Sequence, residues 1–159
     1  SQRWIDSLSI RPKSILLLQQ FSQSALMTGA QEIEMILDLL GELSRKELTP
    51  VLIKPHPRDD HHKLRVIEHF LSGKAHSEGY LVPEEFAAVP AETLGLCLGK
   101  YLLASLGWTS SALLALQALT GCKLWLINPP DNSHELASQC AEFKSFVKNH
   151  EVLEAGGFY

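Results

Sequence analysis

The sequence lacks the long apolar runs and the basic charge that mark two large classes of protein. No stretch reaches the roughly 18 apolar residues that a membrane-spanning helix needs. No basic segment followed by an apolar one predicts a signal peptide, although a chain that begins with Ser1 rather than Met is silent about any upstream segment. The formal net charge of -4 argues against a protein that binds the phosphate backbone of nucleic acids.

Cysteine is scarce, with three residues in a chain of 159. Cys97, Cys122 and Cys140 are scattered, each in an apolar or helical context, and an odd number cannot pair completely. The pattern predicts buried free thiols rather than a disulfide framework, as is usual in a reducing compartment. We therefore expect a cytoplasmic location, with peripheral association at the inner face of the membrane open for the full protein.

The common nucleotide-binding signatures are also missing. Neither GxGxxG nor GxxxxGK[ST] occurs, and there is no GxSxG elbow. No Asp-x-Asp pair is present to hold a nucleotide-bound divalent ion. A phosphate bound by this chain would have to be neutralised by helix ends, hydroxyls and His or Lys. We therefore expect neither a metal nor a cofactor.

Short apolar runs alternate with segments of helical periodicity through most of the chain. Its length and its content of 45% hydrophobic and 20% charged residues suit one soluble domain with a single core. The predicted strands are 15–21, 50–54, 79–83, 100–106 and 122–128, and the predicted helices are 31–43, 59–71, 91–99, 109–120 and 134–150. The alternation predicts an α/β fold, a single Rossmann-like domain over residues 1–159 with a parallel, doubly wound sheet.

Ligands of such sheets bind beyond the carboxyl ends of the strands. This rule directs attention to the loops that follow Phe21, Lys54 and Leu106. Each of these loops carries polar or charged residues directly after an apolar run. A binding site at this edge of the sheet is therefore expected.

The loop after Lys54 holds a histidine between two prolines. Pro55 and Pro57 fix two φ angles and bias Lys54 and His56 toward extended geometry. His56 could donate to an anionic ligand or transfer a proton near neutral pH. The alternative is a rigid turn in which the histidine only bonds the backbone. The loop by itself leaves both interpretations open.

The two later histidines of this region have a simpler interpretation. His61 and His62 fall in the first turn of the next helix, which Asp59 or Asp60 can cap, and adjacent residues lie on different helix faces. Helical zinc ligands come at i and i+4 with further partners, which are missing here. We expect His61 and His62 to be solvated at the helix start and to bind no metal. Arg58 is expected at the surface, from where it could reach an anion.

The loop after Leu106 is rich in hydroxyls. Gly107 is expected to permit a tight turn, and Thr109, Ser110 and Ser111 stand at a predicted helix start. Backbone N–H groups, the helix dipole and these hydroxyls would together form an anion site. The alternative is simple N-capping by Thr109 or Ser110.

Glu92 lies in the first turn of a helix that Pro90 can open. A carboxylate is favoured there by the helix dipole whether or not it binds anything. The stronger indication is convergence, because His56, Glu92 and the Ser110–Ser111 pair all map to one edge of the sheet.

The three tryptophans are a further prediction about the surface. Trp4, Trp108 and Trp125 are expected to be exposed, as cleft or interface residues. For Trp125, which lies within a predicted strand, packing is the favoured role.

At this point the order of elements resembles a known family. A strand ending in 54-KPHPR-58, then 90-PAE-92, then Ser110–Ser111 opening a helix is similar to the carboxyl-terminal domain of bacterial sialyltransferases. The lipooligosaccharide sialyltransferase and capsular polysialyltransferase families are the ones it resembles. The segment 16-LLLQQFSQS-24 also looks like the family's first strand and loop. The resemblance runs from about Ser14 to Pro130.

The resemblance implies roles for individual residues. His56 would contact the phosphate of CMP and assist its departure as an acid. Ser110 and Ser111 would bind the same phosphate, and Glu92 would bond the ribose hydroxyls. The remaining candidates for binding are Thr109, Gly107, Lys54, Arg58 and Ser22. The family pattern Gln-Pro-x-Ser-Glu is replaced here by 20-QFSQS-24, which weakens the assignment of Ser22.

The resemblance also implies a GT-B glycosyltransferase, in which two Rossmann-like domains enclose the active site. This chain would be the donor-binding half of an inverting enzyme that moves sialic acid, or a related sugar acid, from a CMP-linked donor to a surface glycan. The glycan acceptor and the general base would belong to an amino-terminal domain, so this fragment alone is expected to be inactive. The alternatives are a CDP-linked polyol-phosphate transferase domain and a non-catalytic α/β module that binds a nucleotide or a protein.

Overall fold

The six strands of the described chain lie side by side in one sheet. The computed structural model describes residues 1–131 and 133–154. The strands are β1 (Ser14–Leu17), β2 (Val51–Lys54), β3 (Gly79–Leu81), β4 (Ala104–Gly107), β5 (Lys123–Asn128) and β6 (Glu151–Glu154). The helices are α1 (Gln2–Ser7), α2 (Gly29–Arg45), α3 (His61–Gly73), α4 (Ala91–Leu98), α5 (Ala112–Thr120) and α6 (His134–Phe146). Short 3₁₀ helices cover Glu84–Phe86 and Gly99–Tyr101.

All neighbouring strands are parallel, in the order β3-β2-β1-β4-β5-β6. Leu17 of β1 lies opposite Lys54 of β2, and Leu16 lies opposite Leu106 of β4. The chain builds outward in one direction from β1 to β3 and then returns to start again at β4. The gap between the carboxyl ends of β1 and β4 is therefore the topological switch point of the sheet. The predicted Rossmann-like fold is confirmed.

Helices cover both faces of the sheet, which explains why β1, β2 and β4 are buried at every position. Alternate strand residues point to opposite faces. Leu16 and Ile53 belong to a core that includes residues of α2, α3 and α6. Ile15 and Leu52 belong to a second core that includes residues of α1, α4 and α5.

Several helix ends agree with the sequence pattern. Asp60 caps α3 by accepting a hydrogen bond from the His62 N–H at 3.1 Å. Pro90 stands directly before α4, as predicted. Gly121 ends α5 with φ +70°, a left-handed conformation that glycine adopts without strain.

Several stretches differ from the predicted elements. The predicted strand 15–21 is shorter, since β1 spans only Ser14–Leu17. The predicted strand 100–106 begins only at Ala104, because Gly99 (φ +55°) ends α4 and the next residues form a 3₁₀ turn. The predicted helix 134–150 ends at Phe146, where Val147 turns extended. The four residues of β6 then pair with β5. Neither β6 nor α1 was predicted, since each is too short to show a clear periodicity.

The cysteines are free thiols among the described residues, as predicted; Cys122 and Cys140 are buried and Cys97 is half-buried. Burial raises the pKa of the Cys140 thiol to about 11. The expected exposure of Trp108 was wrong, because its side chain is 1% exposed. Its ring packs edge-on against Phe21, with centroids 5.0 Å apart.

The other two tryptophans, Trp4 and Trp125, are half-buried. None of the described helices is long and apolar enough to cross a membrane.

Candidate functional site

Three loops approach the switch point from the carboxyl ends of β1, β2 and β4. Residues 18–28 follow β1, residues 55–60 follow β2 and residues 108–111 follow β4. We call the second of these the His56 loop and the third the Thr109–Ser111 loop. Because all strands are parallel, these loops and the first turns of α4 and α5 belong to the same edge of the sheet.

The His56 loop is closed by its own hydrogen bonds. The His56 N–H donates to Asp59 Oδ2 at 2.7 Å, and the Asp59 N–H donates to the His56 carbonyl at 3.0 Å. The Arg58 N–H donates to His56 Nδ1 at 3.1 Å. Nδ1 therefore acts as an acceptor, and the proton of the neutral ring lies on Nε2. The histidine does bond the backbone, and it keeps Nε2–H available for a ligand.

A cleft of about 590 Å³ adjoins this histidine. It lies between the His56 loop, the start of α3 and the segment 81–87. Its lining includes His56, Arg58, His61, Arg65 and Glu84. Glu92, Ser110 and Ser111 do not line it, so the structure places His56 in a cleft separate from the hydroxyl loop.

Lys54 joins the His56 loop to the segment that leads to α4. Its ammonium group donates to the carbonyl of Pro55 at 3.0 Å and to that of Ala87. Burial lowers the pKa of Lys54, and the nearby Asp59 carboxylate partly opposes this effect. The side chain is 7% exposed and committed to two carbonyls, so any contribution to binding is through the position of that segment.

Arg58 and Ser22 take different positions around the loop after β1. The Arg58 carbonyl accepts hydrogen bonds from the side-chain amides of Gln20 at 2.5 Å and Gln23 at 2.9 Å. The Arg58 side chain is exposed and lines the cleft. Ser22 instead lines a depression between α2 and α3.

The Thr109–Ser111 loop is not a side-chain cap. Ser111 stands at the N-cap of α5 with helical φ and ψ, and its side chain makes no capping bond. The Thr109 hydroxyl accepts from Gln19 Nε2 at 2.7 Å, and the Thr109 N–H donates to Gln19 Oε1 at 2.9 Å. The predicted capping by Thr109 or Ser110 was therefore wrong. The N-cap position is Ser111, and the Thr109 hydroxyl is hydrogen-bonded to the Gln19 side chain instead.

Donors remain unpaired at the start of α5. The N–H groups of Ser110, Ser111 and Ala112 donate to no residue in the ranges 1–131 and 133–154, and the two serine hydroxyls are likewise unbonded there. Ser110 is half-buried and Ser111 is exposed. Such N–H groups at a helix N-terminus suit an anion.

Gly107 has a different role from the one expected. It is the last residue of β4 and has no positive φ, so no tight turn depends on it. A Cβ at this position would lie 3.0 Å from Leu113 Cδ1 and 3.4 Å from its Cδ2. The glycine therefore allows the first turn of α5 to pack closely on the strand.

Glu92 lies in the first turn of α4, half-buried, and its carboxylate bonds no described residue. Helix α4 packs closely on α5 at Gly95, where a Cβ would lie 2.5 Å from Leu116 Cδ2 and 3.4 Å from Thr120 Cγ2. Both helices start at the carboxyl edge of the sheet. Glu92 and Ser111 therefore lie at the starts of two helices that pack against each other.

Sequence reasoning missed the buried charges beneath the loops. Lys63 is 2% exposed, and its ammonium group donates to Glu32 Oε1 at 2.7 Å and to Asp59 Oδ1 at 2.5 Å. Asp59, predicted as a cap or surface residue, is buried at 8% exposure because it serves Lys63 and the His56 N–H together. The spacing of Asp59 and Lys63 at i and i+4 was the available signal.

His61 and His62 are exposed at the start of α3, as predicted. Within residues 1–131 and 133–154, no three His, Cys, Asp or Glu side chains are placed to hold a metal ion. That the chemistry needs no metal remains a prediction.

The fold and the site define a Rossmann-like domain. Its hydrogen-bond donors at the start of α5, which have no partner among the described residues, lie at the edge of the sheet where such domains bind ligands. A family model for alpha-2,8-polysialyltransferases (POLYST) matches residues 4–127, most of the chain, and the chain belongs to this family. The matched range contains His56, Glu92, Ser110 and Ser111. No curated protein matches the chain significantly. The family assignment gives the chain a sialyltransferase-type glycosyltransferase function, with a nucleotide-sugar donor and a glycan acceptor.

Proposed function

We propose that this domain binds a CMP-linked sialic acid, or a related sugar acid, and supplies the leaving-group half of an inverting transfer to a glycan. The observation that carries the proposal is the set of hydrogen-bond donors at the start of α5 that have no partner among residues 1–131 and 133–154, beside the switch point of the sheet. The family assignment agrees with it. In a GT-B enzyme this domain would face a second domain across the active site.

The phosphate of CMP would lie at the Thr109–Ser111 loop. As the bond between the sugar and the phosphate oxygen breaks, CMP keeps the electron pair and negative charge builds on the phosphate. The N–H groups and hydroxyls of Ser110 and Ser111 would stabilise this charge without rearrangement. We propose that these donors stabilise the charge and that no metal ion takes part.

His56 would assist the same departure from the end of β2, which is separated from β4 by β1. With Nδ1 accepting from the Arg58 N–H, the ring offers Nε2–H as a donor. Full transfer of that proton would leave an imidazolate, so in this tautomer His56 stabilises the departing phosphate by a hydrogen bond. Action as a proton donor would require Nδ1 to gain a proton and give up its bond to Arg58.

The nucleoside would extend from the phosphate into the cleft beside His56. The volume of about 590 Å³ is ample for a pyrimidine base. The segment 81–87 borders the cleft and leads to α4, where the Glu92 carboxylate would accept hydrogen bonds from the ribose hydroxyls. Lys54 would hold this segment in place through the Ala87 carbonyl.

The proton of the attacking acceptor hydroxyl needs a base, which we assign to an amino-terminal domain that also binds the glycan. We assign this role to none of the carboxylates in this chain. Residues 1–159 would then form the donor-binding domain.

The test is a titration of the 159-residue chain with CMP, CDP, UDP and ADP, followed by thermal unfolding. CMP at 100 times its Kd should stabilise the chain by about 2.7 kcal/mol. His56→Ala should weaken binding, whereas His62→Ala, an exposed residue on α3, should not. Preference for CDP would favour a polyol-phosphate transferase. If the chain binds none of the four nucleotides, the proposed donor-binding function is wrong, and a non-catalytic module becomes the favoured interpretation.

A further inference from the structure

A chain of hydrogen bonds runs beneath the switch point and joins the loops around it. Its centre is Lys63, whose ammonium group makes three hydrogen bonds. The acceptors are Glu32 Oε1 at 2.7 Å, Asp59 Oδ1 at 2.5 Å and the Gln19 carbonyl at 3.2 Å. An ammonium group has three donors, so all of its capacity is used inside the protein.

Each of the three residues that accept from Lys63 is also hydrogen-bonded to a loop residue. Asp59 accepts the His56 N–H through its second oxygen, Oδ2, at 2.7 Å. Gln19 reaches Thr109 with both ends of its side-chain amide, at 2.9 Å and 2.7 Å. Glu32 accepts the Ser22 N–H through Oε2 at 3.0 Å. The ammonium group is therefore the common point of the loops that follow β1, β2 and β4.

The charges in this network are buried, with Lys63 at 2%, Glu32 at 0% and Asp59 at 8% exposure. Two carboxylates and one ammonium group leave a formal charge of -1 in the interior. Burying ions costs desolvation energy, and well-packed apolar side chains often stabilise a protein as much. Stability alone is therefore a weak reason for this arrangement, whereas directed hydrogen bonds to specific loop atoms define geometry.

We propose that Lys63 is a positioning residue that sets the His56 loop and the Thr109–Ser111 loop relative to each other. The inference rests on the proposed function, in which the two loops meet one phosphate group. The path is continuous: Thr109 is held by Gln19, Gln19 by Lys63, Lys63 by Asp59, and Asp59 holds His56. Gln19, Lys63 and Asp59 act through this path and need not touch the donor.

Two substitutions interrupt the path on either side of Lys63. Gln19→Met removes the amide that holds Thr109 and keeps the Gln19 carbonyl that accepts from Lys63. Asp59→Asn leaves one side-chain oxygen where two are in use, so either His56 or Lys63 loses its partner. Gln23→Met is the matched control, because that amide bonds only the Arg58 carbonyl, which Gln20 also contacts.

The first readout is CMP affinity. Gln19→Met and Asp59→Asn should each raise the Kd by about tenfold, and Gln23→Met by less than about twofold. Because both act through one path, the double variant should lose much less than the product of the single effects. Fully multiplicative losses would mean that the two loops are positioned independently, and the inference would then be wrong.

The second readout needs no ligand and separates this inference from the proposed function. Amide hydrogen exchange of Thr109 should accelerate in Asp59→Asn, a residue that does not touch Thr109, by about threefold or more relative to the wild type. Urea unfolding of the same variant provides the correction for global stability. Unchanged exchange at Thr109 overturns the positioning role, whereas failure of the wild type to bind CMP overturns only the proposed function.

Discussion

The two loops proposed to meet the phosphate are held in contrasting ways. The His56 loop contains two prolines that flank the histidine, is closed by hydrogen bonds between His56 and Asp59, and is hydrogen-bonded to the buried Lys63. The Thr109–Ser111 loop starts from the buried Trp108, but beyond it one half-buried glutamine side chain, Gln19, holds Thr109, and the two serine hydroxyls are unbonded among the described residues.

The difference shows how one edge can combine rigidity with spare donors. In the His56 loop most backbone groups have a partner, and the groups left for a ligand are the ring nitrogen Nε2 of His56 and the exposed guanidinium of Arg58. The N–H groups and hydroxyls of Ser110 and Ser111 can be solvated until a ligand replaces the water, so leaving them unpaired carries little cost. We expect a ligand to order the Thr109–Ser111 loop more than the His56 loop.

The largest effect should come from removing the charge beneath the rigid loop. Lys63→Met leaves Glu32 and Asp59 as buried carboxylates without their cation, and the free energy of unfolding should fall by about 3–5 kcal/mol. Urea unfolding at neutral pH measures it. The control is Lys123→Met, an exposed residue of β5 that should change stability by less than about 0.5 kcal/mol. Equal effects of the two variants would contradict the buried network.

A smaller loss of stability is expected from a substitution at Gly107, the last residue of β4 before the Thr109–Ser111 loop. In Gly107→Ala the new methyl group meets the fully buried Leu113 at 3.0 Å. Overpacking of this kind should lower the free energy of unfolding by about 1–3 kcal/mol. The His56 ring resonances in an NMR spectrum should stay in place, because β1 separates β2, which leads to the His56 loop, from β4.

Gly73→Ala serves as its control, since a Cβ there meets nothing within 4 Å. A stability change in Gly107→Ala no larger than in Gly73→Ala would show that Leu113 can move aside.

The two helix starts give a direct comparison. Asp60→Ala removes the side chain that caps α3 and should cost about 1 kcal/mol of stability. Ser111→Ala removes a side chain that makes no capping bond at α5, so its stability should change by less than about 0.5 kcal/mol while CMP binding weakens. Denaturant unfolding and a CMP titration of both variants provide the measurements. Loss of stability without loss of binding in Ser111→Ala would assign this serine to capping.

The smallest effect concerns alkaline pH and Lys54. Burial lowers its pKa below the ordinary value of 10.5, so just below pH 10.5 the unfolded chain holds the proton more tightly than the folded one. Stability then rises with pH for this group. Compared with Lys54→Met, the wild type should gain stability as pH approaches 10.5 from below, and the difference should be flat near neutrality. Unfolding curves of both proteins over this range test the sign, and a difference that shrinks with pH would refute it.

Some elements were predictable because their signals are local. The buried strands β1, β2 and β5 show as short apolar runs, and the caps at Asp60 and Gly121 depend on neighbouring residues only. Because parallel connections place every strand end at one edge, His56 could be assigned to that edge from the sequence pattern.

Other features have no local signal. Gln19 and Thr109 are 90 residues apart, and Lys63 and Glu32 are 31 apart. Nothing near Ser110 shows that a distant glutamine, rather than the serine, holds the start of α5. The short strand β6 was not predicted, because its four residues carry too little periodicity.

The sequence by itself determined the parallel α/β fold, the clamped histidine and the edge where a ligand would bind, since these follow from local apolar patterning, proline geometry and chain direction. The tertiary structure alone decided which polar groups are occupied and which are available. It buried Lys63 between two carboxylates, bonded Thr109 to Gln19 and left Ser110 and Ser111 without side-chain partners in the part of the chain that the structure describes. The physical reason is that a hydrogen bond depends on which distant groups the packed core brings within about 3 Å of each other.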